Sequence, residues 1–235
     1  EMWYSPTSEG YRAGYTWNEN RGEIEKVPYV SNGKNNYEQF YKKGLTQNYN
    51  VAVALPGKNI NSRVSFSHLG QTGIMPGTNL IRNNVSINTG GNLSEKLSLK
   101  VSATLSNSGS DNLPRTSDNN YSIPYVIAWT PPGTDFSQLT EYWQRGTEGE
   151  QFVWRTQHNN PYFICHEIQN SYEKNRVFGN VVLNYALLEN LRVNVRYAMD
   201  MEGCFNESIR PVGMMRWSPS YSISHGNRQE SNADI

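Results

Sequence analysis

The stretch "NYNVAVALPGKNINSRVSFSHLG", residues 48–70, decides the fold. Every second residue from Tyr49 gives Tyr49, Val51, Val53 and Leu55, while Asn48, Asn50, Ala52 and Ala54 take the other phase. After "PGKN" the alternation resumes, with Ile60, Val64 and Phe66 against Asn61, Arg63, Ser65 and Ser67. A period of two belongs to a β-strand, whose successive side chains point to opposite faces, whereas an amphipathic helix repeats at three and four. The stretch therefore predicts a hairpin with one aliphatic face and one wet face.

The same pattern occurs six times, over 45–55, 60–68, 81–89, 97–105, 177–187 and 191–201. Leu97, Leu99, Val101, Ala103 and Leu105 form one apolar phase, and Leu191, Val193, Val195, Tyr197, Met199 and Met201 another. No Asp, Glu, Lys or Arg falls in any apolar phase, while Arg63, Arg82, Lys100, Arg192 and Arg196 all fall in the polar one. Phe178 and Val182 depart from the rule by lying in the wet phase, where contact with protein filling the interior, or a bulge shifting the register, would account for them.

The connections alternate in length. "PGKN" (56–59), "GNLSEK" (91–96) and "LEN" (188–190) are tight turns, whereas 70–80 and 106–176 are long. A loop region with a short helix (1–44) precedes the first run, and 202–235 begins a further loop. All the tight turns then lie at one end of the sheet. Ten-residue alternating strands with short turns at one end and long loops at the other are the pattern of an outer-membrane barrel. The predicted fold is all-β, an antiparallel transmembrane β-barrel segment of about six strands with short periplasmic turns and long extracellular loops. Its lipid-facing residues would be Tyr49, Val51, Val53, Leu55, Leu97, Leu99, Val101, Leu183, Tyr185, Val193, Val195 and Tyr197. A soluble secreted β-sandwich, binding carbohydrate or serving adhesion, also alternates in and out and is the alternative. It gives no reason for gathering the long connections at one end.

Composition removes other classes. Of 235 residues only 18% are charged, and Lys plus Arg balances Asp plus Glu, so no net field favours nucleic acid. No run of eighteen apolar residues predicts a membrane-spanning helix. "CHE" sets Cys165, His166 and Glu167 side by side, but neighbouring side chains usually diverge, and His68, His158 and His225 lack partners at metal-ligand spacing. No phosphate-binding glycine loop occurs. The sequence predicts no enzyme, no metal site and no cofactor.

The 106–176 loop carries Tyr121, Tyr125, Trp129, Phe136, Tyr142, Trp143, Phe152, Trp154, Tyr162 and Phe163, with a short helix expected at "DFSQLTEYWQ", capped by Asp135 and ended near Gly146. A long loop rich in rings is ordered rather than disordered. Most of these rings would pack on one another, while Trp129, Trp143 and Trp154 are candidates for contact with a glycan or peptide ligand or with a partner. Cys165 and Cys204 fall at the long-loop end of one hairpin, so a disulfide between them and two free thiols are both open.

The ordered succession resembles the early barrel of SusC/RagA-type TonB-dependent outer-membrane transporters. The resemblance is carried by the Phe/Tyr-x-x-Gly opening at Phe40 to Gly44, the Asn-rich first strand, and the "GxxP-x-T-x-L-x-R" connection from Gly73 to Arg82. The "L-x-x-K-L" turn from Leu93 to Leu97, "NNPYF" at 159–163 and the hairpin at 175–200 extend it. The resemblance implies an internal fragment of a barrel of about 22 strands, located in the cell outer membrane and bordered by its lipid. It also implies import of glycan or peptide nutrients with a SusD-like surface lipoprotein, and TonB contact through segments outside this chain.

Overall fold

The computed structural model describes residues 15–18, 23–26, 35–130, 134–144, 149–153, 158–215 and 222–234. Its centre is one antiparallel sheet of seven strands in sequential order, β3 to β9, and a separate two-stranded sheet pairs β1 (Tyr15–Asn18) with β2 (Glu23–Lys26). The large sheet comprises β3 (Leu45–Pro56), β4 (Ile60–Thr72), β5 (Asn79–Asn92), β6 (Leu97–Ser110), β7 (Gln169–Leu188), β8 (Leu191–Arg210) and β9 (Ser222–Asp234). It is open, with β3 and β9 at its edges.

These bounds correct the predicted ones. The expected six strands become seven, and the end of β8, to Arg210, and β9, from Ser222 to Asp234, fall within 202–235, where a loop was expected. The 70–80 connection shrinks to 73–78, and the long loop to 111–168. The cause is common to all these differences. Beyond the aliphatic belt both faces are polar, so the ladder continues while the alternation that reveals it stops. Thus β7 and β8 pair from Gln169↔Ile209 through Ala186↔Arg192. Their one irregularity lies between Ala186 and Leu188, so no bulge explains Phe178. Phe178 keeps the inner phase, with the Arg176 guanidinium 4.9 Å above its ring.

Residues paired directly across the ladder share a face, and the register assembles the aliphatic residues into rows. Val53, Val64, Ile87, Ala103, Gly179 and Met199 form one row, and Val51, Phe66, Val85, Leu105, Val177 and Met201 the next. A third holds Leu55, Ser62, Thr89, Val101, Val181 and Tyr197, whose hydroxyls pair with one another, Ser62 Oγ to Thr89 Oγ1, at 2.7 Å. The rows are open to the surroundings: Val51 is 63% and Val195 50% exposed. A sandwich needs a second sheet on this face, and among the described residues none packs there.

The only enclosed core among the described residues is built mostly from the long connection, joined by residues 36–40 and Met214. Here α1 (Asn36–Phe40), α2 (Ile123–Ala128), a 3-10 turn (Phe136–Leu139) and α3 (Pro161–Glu167) pack into a cap around Phe40, Val126, Phe136, Leu139 and Phe163. The helix expected in "DFSQLTEYWQ" is this single 3-10 turn, with Asp135 accepting from the Ser137 N–H at 3.0 Å. Buried amides join the cap's segments. Asn160 donates to the carbonyls of Leu139 and Phe152, both at 2.8 Å, and accepts from the Tyr162 N–H to cap α3. Gln151 bonds Asn159, the Asn160 N–H and the Gly213 carbonyl, while Asn159 reaches Asn120 and Met215. Gly77, at φ +75°, docks the 73–78 connection against α3, since a Cβ there would stand 2.9 Å from the Cys165 carbonyl oxygen.

Because Asn160 is fully buried, Asn160→Ala strands two carbonyls and removes a helix cap. We expect a loss of about 2–4 kcal/mol of cap stability, read as faster amide hydrogen exchange across 134–168 with exchange in β3–β6 unchanged.

Candidate functional site

Even-numbered residues of β6 to β8 form the inner face. Neighbouring side chains there satisfy one another: Asn84 donates to Ser67 at 3.0 Å, Ser102 to Asn88 at 2.8 Å, and Ser86 pairs with Thr104 at 3.0 Å. Farther along, charges take over. Lys174 pairs with Glu202 at 2.7 Å, and Arg176 donates through Nε to Asp200 at 2.8 Å. The cap leans over this face, because Ser108 and Ser110 of the inner phase are buried while Asn107 of the outer phase is exposed.

Where cap and inner face meet, a cleft of about 420 Å³ opens between residues 113–115 and the ends of β7, β8 and β9. Asn170, Tyr172, Asn206 and Ser208 form its floor, and Arg115 enters from the cap side. Arg115 Nε donates to Asn170 Oδ1 at 2.8 Å and Nη2 to Ser208 Oγ at 3.0 Å, while Ser208 donates to the same Asn170 oxygen at 2.9 Å. The Tyr121 ring carries Arg115 at 5.4 Å and Arg210 at 5.1 Å. At the rim, His225 Nδ1 lies 3.4 Å from Glu207 Oε2. Of these residues the sequence singles out only Tyr121, as one of the loop's rings, and His225, as lacking metal-ligand partners. Arg115 follows no periodic pattern, and the Ser224–Gly226 wall belongs to β9, which shows no aliphatic phase.

The tryptophans chosen from the sequence separate. Trp129 ends α2, is 56% exposed and leans on Tyr125 at 6.1 Å. Trp143 packs edge-on against the core ring of Phe163 at 5.3 Å, which makes it chiefly part of the cap's own packing. Trp154 lies outside the described residues. The structure gives no shared contact between Trp129 and Trp143.

Cys165, His166 and Glu167 diverge. Burial pushes the Cys165 thiol up to about 12, with the Lys42 charge acting weakly the other way. His166 is exposed and stacks on Tyr142 at 5.7 Å, while Glu167 accepts from the Tyr142 hydroxyl at 2.8 Å. Burial and that bond to Glu167 raise the Tyr142 phenol to about 12. The disulfide raised from the sequence is not formed. Both thiols are free, Cys165 enclosed by the cap core and Cys204 set on β8 across from Lys174.

The raised thiol has a definite pH sign. Its stabilising contribution is complete below the ordinary cysteine range near 9 and is lost as pH rises towards about 12. In a Cys204→Ser background, alkylation of Cys165 by iodoacetamide should stay slow at pH 8 and accelerate only as the cap opens between pH 9 and 12 or in denaturant. Fast labelling at pH 8 would contradict its enclosure.

No family model matches the chain, and no curated protein matches it. Among solved structures it is similar to the RagAB peptide importer. In the "closed-closed" state the TM-score is 0.62 at 12% identity, covering 83% of this chain and 22% of that one. In the "open-open" state the TM-score is 0.60, with the same identity and coverage. At this identity the relationship is distant and the likeness is one of fold: the chain shares the β-rich architecture of a segment amounting to 22% of a RagAB importer chain.

Proposed function

We propose that this chain is part of the barrel wall and outer cap of a TonB-dependent importer in the cell outer membrane. It would take up glycan or peptide nutrients with a SusD-like surface lipoprotein. The observation that carries the reading is the height of the aliphatic belt. From the Leu97–Tyr185–Val193 row to the Val51–Phe66–Val85–Leu105–Val177 row the ladder climbs eight residues. At ~3.4 Å per residue that is about 27 Å along a strand, and strands tilted by ~35–45° would span about 19–22 Å of bilayer, close to the apolar band of about 25 Å in outer-membrane barrels. Tyr185 at the lower margin and Tyr49 at the upper one suit the two interfaces, while Tyr197 stands nearer the middle in the row of Val101.

The outward face supports this further. Along the paired strands every Lys and Arg lies in the inner phase, and Glu173 and Glu207, the outward acids, stand above the belt. The fold likeness to the RagAB peptide importer and the resemblance to SusC/RagA-type transporters support the nutrient class and the lipoprotein partner. On this reading Tyr49, Val51, Val53, Leu55, Leu183, Val193 and Val195 touch lipid, the inner face borders the lumen, and no residue of the chain performs catalysis.

In the full-length protein, Val101→Arg should cost about 2–4 kcal/mol if it faces lipid near the midplane, whereas Ser102→Arg, one residue away on the other face, should be far milder. Heat-modifiable gel mobility measures the assembled fraction, and equal losses for the two would overturn the facing. Replacing 116–166 by a short Gly/Ser linker should leave assembly intact and abolish nutrient-dependent growth or co-purification of the lipoprotein. Survival of both functions would move the import machinery elsewhere.

A further inference from the structure

We propose that the cleft between cap and inner face is a carboxylate site, in which Arg115 grips an acidic group of the imported nutrient; the inference rests on the importer reading and deepens it. Arg115 is partly buried, and both of its hydrogen bonds go to neutral atoms, the Asn170 amide oxygen and the Ser208 hydroxyl. Among the described residues no carboxylate answers its charge. The acid nearest along the cleft lining, Glu207, belongs to the outward phase of β8 and lies beside His225.

The triangle of Arg115, Asn170 and Ser208 fixes the guanidinium plane. It uses two of the five N–H groups that arginine carries and leaves three, both Nη1 hydrogens among them, to meet a planar acceptor. A second guanidinium, that of Arg210, shares the Tyr121 ring with Arg115. The volume of about 420 Å³ suits the end of a small ligand. The remaining floor, Tyr172 and Asn206, offers a ring face and an amide to neutral parts of such a molecule. Carboxylates of this kind occur at peptide C-termini and on uronate sugars, and the site chemistry is the same for both.

The test uses the purified full-length protein in detergent, with binding read by native mass spectrometry. One probe set is short peptides with free C-termini and their C-terminal amides, and the other is galacturonate oligomers and their carboxyl-reduced counterparts. In one set the wild type should prefer the acid form by about tenfold to a hundredfold, the span expected for losing hydrogen bonds to a charged group, and the set in which this happens names the source. Arg115→Gln should bind both forms alike. Asn206→Glu, which places a carboxylate in the cleft without removing Arg115, should do the same and serves if the first variant fails to assemble. The proposal is overturned if the wild type binds neither set or shows no preference for acids in either, or if the assembled variants keep the preference. The importer reading is judged separately, by wild-type assembly and nutrient-dependent growth, so the two can fail independently.

Discussion

On the importer reading the aliphatic face meets an apolar surrounding, which accepts no unpaired backbone N–H or C=O, and the sheet suits that constraint. From β3 to β9 each strand pairs with the next in sequence, and the ladder stays in register wherever the aliphatic belt runs. Given a fixed ladder, the pleat dictates the rest. Odd positions of β3 and of β5 to β8 must be aliphatic, even ones wet, and outward hydroxyls such as Ser62 and Thr89 must find each other. The irregularity in β7/β8 pairing is confined to the turn end.

The cap obeys the opposite logic. It has a closed core but little regular structure, so its backbone groups cannot pair in ladders and are met by side-chain amides instead. Asn159, Asn160 and Gln151 reach carbonyls and N–H groups in the 120, 139, 152, 160, 213 and 215 segments. This gives "NNPYF" a physical meaning: two amide clamps, a proline fitted to the first helical turn, and a phenylalanine filling the core. Asn112 ties the cap to the wall by bonding both the Cys165 carbonyl and the Asn170 N–H.

Legibility in the sequence followed the same division. The belt strands were readable because one face is dry, so Val51 or Val195 announces its phase. The upper parts of β7 and β8 and the whole of β9 were not, since Glu173, Asn175 and Gly203 carry no face preference and those strands are held by their neighbours. In the cap, rings of the aromatic run fill the core, but spacing could not tell Trp143, packed on Phe163, from Trp129, left exposed. The Arg115 cleft was invisible because its parts come from four separate stretches joined only by the fold.

The sorting of cations onto one face bears on how such a wall avoids assembling wrongly. On the importer reading, a strand of β6 or β8 displaced by a single position would turn Lys100, or Arg192 together with Arg196, into hydrocarbon, at about 2–4 kcal/mol for each near the midplane. Hydrogen bonding alone penalises such a displacement weakly, since a slipped ladder still pairs. On that reading the charges would serve as an error check during insertion, rejecting misaligned strands before a barrel closes.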